Sequence, residues 1–158
     1  YYTDSIIGHF VRTLKQDPLW KNTLIVFVAD HGHPLPGYDP NDRPSKFHIP
    51  LIMCGGALSI NEKINVIGSQ TDIATTLLDQ LHLPTAKFEW GKDLLDSSAK
   101  SFAFYCFNNG FGFVTPKGTE TFDNVSKKPI YMHAGYDTSQ LNFGKAYMEF
   151  SYQDFLNR

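Results

Sequence analysis

Leu24-Ile25-Val26-Phe27-Val28-Ala29-Asp30-His31-Gly32-His33 is the stretch whose reading decides the fold. It begins with an unbroken apolar run, mostly β-branched or aromatic, and closes on an acid, two histidines and a glycine. A run without alternation suits a strand covered on both faces, as in a parallel sheet packed between helices. Open α/β sheets bind their ligands beyond the carboxyl ends of their strands, which is where Asp30, His31 and His33 fall. A carboxylate and imidazoles there, with Gly32 permitting a tight turn, read as half of a metal site. The other reading is a polar turn that only ends the strand.

On the N-terminal side, residues 2–15 read as a helix with Ile6, Ile7, Phe10, Val11 and Leu14 on one face, stopped by Asp17-Pro18. Trp20 is expected to pack under the loop that leads into the strand. On the C-terminal side, Pro34 to Lys46 holds four prolines and Gly37 and is irregular. A long loop leaving a strand's carboxyl end is a common place for substrate contacts. Asp39, Asp42, Arg43, Lys46 and His48 lie on or beside it, and each also reads as an ordinary solvated residue.

Ile49 to Met53 forms a second apolar run, broken by Gly55-Gly56, and Val66 to Gly68 is a short extended piece. Thr71 is placed to cap a helix with Asp72 in its first turn. Ile73, Leu77, Leu78 and Leu81 give that helix an apolar face, and His82-Leu83-Pro84 closes it. After Ser97 the texture changes. Residues 102–107, 110–115 and 119–124 are short aromatic or Thr-rich runs separated by Asn108-Asn109-Gly110 and Pro116-Lys117-Gly118. Such separators predict an antiparallel meander, with 130–133 as a fourth strand. A terminal helix is expected over 139–156, packing through Leu141, Ala146, Met148, Phe150 and Phe155.

Composition narrows the class. The chain has 158 residues, thirteen Phe, eight Tyr and a net charge of −2, which argues against disorder and against a nucleic-acid footprint. It contains no apolar run of membrane-spanning length. Cys54 and Cys106 sit in apolar surroundings and read as core thiols. Asn124-Val125-Ser126 fits a glycosylation acceptor, a match that is frequent by chance. His9 and His133 read as structural. The chain opens at the start of a helix without Met, and is expected to be a C-terminal piece of a larger protein.

In this order, the stretches around Tyr2-Thr3-Asp4, Asp30-His31-Gly32, His48-Ile49-Pro50 and Ser69-Gln70-Thr71-Asp72 resemble the C-terminal half of the sulfatase and alkaline-phosphatase superfamily catalytic domain. Lipoteichoic-acid-synthase-like proteins are especially similar. Phe88 to Leu95 resembles the family's Gly-(Lys/Arg)-(Asp/Asn)-Leu turn. The resemblance covers about residues 1–95 and implies an α/β fold: a three-layer α/β/α core over 1–96, then a small antiparallel sheet and C-terminal helix over 97–158.

The resemblance also implies function. Asp30 and His31 match two ligands of a divalent metal, whether Mn, Mg, Ca or Zn, and His33 and His48 are the substrate-facing candidates. The nucleophile is expected upstream, since Thr71, Thr75 and Thr76 lie in a helical context. No catalytic residue beyond the metal pair is therefore expected in this chain, which alone should be inactive. The expected substrates are phosphate or sulfate esters, lipid- or glycan-linked, handled by a phosphoglycerol transferase or a sulfatase-like hydrolase. The expected partner is the N-terminal half of the same domain, not nucleic acid. The expected setting is an extracytoplasmic domain of a membrane-anchored bacterial protein. The alternative is a non-catalytic remnant or interaction module of the same fold.

Overall fold

A computed structural model describes residues 1–33, 37–59, 61–134 and 138–158. Pro34 and Pro36 of the expected irregular loop lie outside the described residues. The order is α1 (Tyr2–Leu14), β1 (Ile25–Val28), β2 (Leu51–Cys54), α2 (Thr71–Gln80), β3 (Ala103–Phe107), β4 (Gly110–Thr115), β5 (Gly118–Asp123), β6 (Lys128–His133) and α3 (Thr138–Asn157). They divide into two compact units, one of residues 1–32 with 48–64, the other of residues 33–47 with 65–158.

In the first unit, α1 keeps its predicted apolar face, with Ile6, Ile7 and Phe10 exposed and Val11 and Leu14 half-buried. Asp17 ends the connection by accepting the Leu19 N–H at 2.8 Å, at the head of a short 3-10 helix over Pro18–Asn22. Pro18 there sits where a helix needs no donor. The Lys15 ammonium lies 5.8 Å from the Trp20 ring centre. β1 pairs with β2 antiparallel, from Ile25 opposite Cys54 to Val28 opposite Leu51. Gly55 follows with φ +143°, and a Cβ there would come within 2.1 Å of the Thr23 carbonyl oxygen. Only glycine tolerates that approach and that φ.

This pairing corrects the expectation of a parallel strand covered on both faces. Ile25 to Phe27 are half-buried and Val28, Leu51 and Ile52 are exposed. An unbroken apolar run records the cover a strand demands. It does not record the direction of its partner or which residues supply the cover.

In the second unit, the predicted meander is present as an antiparallel sheet in the order β3-β4-β5-β6, with a register shift between Thr121 and Phe122. One face carries Phe104, Phe111 and Phe122, packed with Leu141 and Met148 of α3. Gly144 brings the helix backbone close enough that a Cβ would meet Phe111 at 2.6 Å. Tyr147 stacks against Phe104 with ring centres 4.7 Å apart. Phe150 and Phe155, expected to pack, are exposed. The packing stripe runs through Leu141, Gly144 and Met148; Phe150 falls off it, and Phe155 lies nearly two turns beyond Met148.

Helix α2 departs most from expectation. Its buried residues are Asp72, Thr75 and Thr76, while Leu81 is exposed. Gln70 occupies the N-cap without a side-chain capping bond, and Thr71 is already helical. Asp72, inside the first turn, instead accepts the Ser69 N–H ahead of the helix at 2.7 Å. The same carboxylate accepts the Lys92 backbone N–H at 3.0 Å and the Lys92 ammonium at 2.6 Å. Thr76 donates to the Asp72 carbonyl at 2.8 Å and accepts the Leu94 N–H at 2.9 Å. Lys92 also donates to the Phe102 carbonyl at 3.1 Å.

The helix ends on His82, at φ 55°, with its N–H on the Asp79 carbonyl and the Leu83 N–H on the Leu78 carbonyl. This is the Schellman arrangement, whose left-handed position glycine fills at least cost.

Two stability outcomes follow. Asp72→Ala leaves the Lys92 ammonium buried without its partner and should destabilise the chain by about 3–5 kcal/mol in urea unfolding. His82→Gly removes the left-handed side chain and should stabilise by about 1 kcal/mol in the same measurement. A loss on the second substitution would mean that the imidazole itself supports the helix end.

Candidate metal-binding site

Asp30 and His31 follow β1 after Ala29 and turn into water, with side chains 88% and 75% exposed. Their geometry is set locally. The Asp30 Oδ1 accepts the His31 backbone N–H at 2.9 Å. The His31 ring places Nδ1 2.8 Å from the Gly32 carbonyl oxygen. A carbonyl only accepts, so Nδ1 carries the proton and Nε2 is the nitrogen left to bind a cation or proton. Nε2 stands 3.6 Å from Asp30 Oδ1, beyond hydrogen-bond distance. The contact is too exposed to stabilise the fold by more than about 0–1 kcal/mol. A backbone carbonyl on one imidazole nitrogen, with the other turned toward a carboxylate, is the arrangement that orients histidine ligands in metal sites.

His33 is exposed and falls in the second compact unit; His48 is exposed and begins the segment leading to β2 in the first. Among the described residues, no three His, Cys, Asp or Glu side chains converge. Asp30 and His31 are thus a two-donor set, and divalent ions in proteins take four or more ligands.

A second polar cluster was not anticipated from the sequence as a unit. Residues 37–47 lie on the sheet face opposite α3. Tyr105 lies over Gly112, where a Cβ would sit 2.0 Å from the phenol ring. Phe47 stacks on Tyr105 with ring centres 4.1 Å apart at 16°. The Thr121 hydroxyl donates to the Asp42 carbonyl at 2.9 Å, and the Tyr105 hydroxyl lies 2.9 Å from Thr121 Oγ1. With the Thr121 proton committed to the carbonyl, Tyr105 is the donor in that second bond. The sequence signal is the pairing of Tyr105 with Gly112, the placement of an aromatic across a strand glycine, which is visible only once the register is known.

The fold is that of the alkaline-phosphatase superfamily. A protein of that superfamily from Vibrio parahaemolyticus superposes with a TM-score of 0.78 at 23% identity, covering 99% of this chain and 40% of its own. The chain thus forms an α/β portion of that core together with a four-stranded antiparallel sheet and a C-terminal helix. The Sulfatase family model matches residues 1–83, and the chain belongs to that family. Arylsulfatase K of Canis lupus familiaris is 30% identical over 104 residues, 63% of this chain and 19% of its own length. The lipoteichoic acid synthase-like protein YvgJ of Bacillus subtilis is 30% identical over 118 residues, 65% of this chain and 19% of its own. The chain therefore spans about a fifth of the length of these relatives.

Burial pushes the Tyr105 phenol up from 10.0 to about 12, and Asp42 adds to the rise. The folded chain keeps this proton where the unfolded chain has released it. The stability it contributes is complete below pH 10 and drains away as the pH approaches 12. Melting temperature should therefore fall across that window, and the fall should be shallower in Tyr105→Phe. An identical slope in the variant would place the ionisation elsewhere, Tyr147 being the other phenol raised by burial.

Proposed function

We propose that this chain carries part of the active site of a sulfatase-type enzyme that cleaves or transfers phosphate or sulfate esters, with Asp30 and His31 as two ligands of a divalent metal. The observation that carries the reading is the His31 ring held by the Gly32 carbonyl, with Nε2 turned toward the Asp30 carboxylate. When bound, such an ion neutralises ester oxygens and polarises the centre under attack. The oxygen-plus-imidazole donor set suits Mn, Mg, Ca or Zn without separating them. Asp30 brings the compensating negative charge. His31 brings a nitrogen whose direction is fixed before binding, so little ordering is required when it binds.

Family membership supports an ester substrate. Transfer and hydrolysis would part at the nucleophile, which we place outside this chain. His33 and His48 remain substrate-facing proposals. We take residues 1–96 as the core portion and 97–158 as the appended sheet and helix, and an extracytoplasmic, membrane-anchored parent as the setting. No helix among the described residues is long and apolar enough to cross a membrane.

Isothermal titration of Mn and Zn into the chain, and into Asp30→Asn and His31→Ala, tests the metal assignment. Weak saturable binding is expected in the parent chain. In each variant it should fall by at least about tenfold, with an unchanged melting temperature because both side chains are exposed. Retained binding in both variants would reduce Asp30-His31 to a turn and favour the interaction-module reading. In a longer protein containing this chain, the same substitutions should abolish turnover of aryl sulfate or aryl phosphate.

A further inference from the structure

Arg43 is the one guanidinium in the segment 37–47, and the structure sets it against an aromatic ring. Its guanidinium carbon lies 4.1 Å from the centre of the Tyr131 ring. Such stacking fixes the plane of the group and leaves its N–H edges pointing outward. Its Nε is 3.9 Å from Asp42 Oδ1, too far for a hydrogen bond, and its side chain is 42% exposed. Among the described residues, no side chain or carbonyl accepts a hydrogen bond from the guanidinium.

The backbone beneath it is equally fixed. The Asp42 carbonyl is held by Thr121, itself fully buried, and Thr121 is held by Tyr105. The Arg43 N–H is bonded to the Pro40 carbonyl at 3.1 Å, and Phe47 closes the segment on the Tyr105 ring. An arginine on a flexible loop loses side-chain and backbone freedom when it captures an anion. Here most of that ordering has already been met.

We propose that Arg43 is an oxyanion-recognising residue that takes a tetrahedral sulfate or phosphate group through its planar N–H fork. Tyr131 and the Tyr105–Thr121 clasp are its positioning residues. The fork geometry matches two oxygens of such a group, whereas a lysine offers only a point charge. Asp42 nearby subtracts from the attraction, so the free inorganic ions bind weakly and the ester's remaining contacts supply the rest of the affinity. The proposal deepens the ester-enzyme reading and rests on it only for naming the anion as the substrate's own group.

The test is a titration of the whole 158-residue chain with inorganic sulfate, inorganic phosphate and, at matched ionic strength, chloride, followed by nitrogen-15 NMR of the amides over 42–46. Sulfate or phosphate should give saturable shifts that chloride does not. Arg43→Lys should weaken the binding by at least about tenfold while keeping the charge. Tyr131→Leu should weaken it by about threefold, and Tyr131→Phe should restore it, because the ring face carries the effect. A purely structural Tyr131 would not give that rescue at equal melting temperature. Shifts that fail to saturate or that chloride reproduces, or an Arg43→Lys variant that binds as well as the parent chain, would overturn the proposal, and the first result needs no variant to fold. Run without added metal, this titration separates the two readings: its failure ends the Arg43 proposal and leaves the Asp30-His31 assignment standing, whereas loss of metal binding leaves the Arg43 site standing.

Discussion

The carboxylate of Asp72 is the constraint on which the second unit depends. It is 2% exposed and receives three N–H groups, one from Ser69 ahead of α2 and two from Lys92. A buried carboxylate with fewer donors would be a net cost; with its lone pairs filled and a cation alongside, it becomes a fixed node. Three pieces of chain far apart in sequence meet there. Helix α2 is held at its first turn, the turn around Lys92 is held through backbone and side chain, and the Phe102 carbonyl at the entry to β3 is held by the Lys92 ammonium. The Lys92 ammonium also lies over the Phe102 ring, 4.3 Å from its centre. The ion pair thus passes directly into the aromatic core.

From that entry the sheet is built with two unlike faces. Toward α3 it presents phenylalanines that bury apolar area and fix no direction. Toward residues 37–47 it presents Tyr105, Thr121 and Tyr131, whose hydroxyls and rings fix one carbonyl and one guanidinium. Apolar packing supplies most of the stability, and the directional bonds on the other face determine which loop conformation is retained. Gly112 makes the second face possible. Its missing side chain lets Tyr105 lie flat and reach Thr121 across an intervening strand.

Much of the fold was legible because it was written in local periodicity and turn chemistry. Asn108-Asn109-Gly110 and Pro116-Lys117-Gly118 fix hairpins at short range, and β3, β4 and β5 lie where those turns put them. α1 and α3 likewise follow from spacing. What was not legible needed partners distant in sequence. Ile73, Leu77 and Leu78 of α2 are half-buried as their spacing suggests. The deeper burial of Asp72 depends on Lys92, twenty residues away. The antiparallel pairing of β1 with β2 was hidden for the same reason, since an apolar run carries no direction. At the candidate site, Asp30 and His31 could be read from their place after a strand. The clasp on Asp42 could not, because it joins positions 79 residues apart.

These two kinds of site also differ in what selection on stability can do to them. Asp30 and His31 are so exposed that replacing either should leave the folding free energy almost untouched. In the reading proposed above, the pair is kept for the metal it would bind, with one ring nitrogen already oriented by the Gly32 carbonyl. Asp72 is the opposite case. It is a charged pair that stability cannot do without, and its burial removes it from any substrate. On the proposed reading, an exposed carboxylate serves binding at Asp30 and a buried one serves architecture at Asp72, and solvent exposure and the number of donors that converge on each separate the two roles.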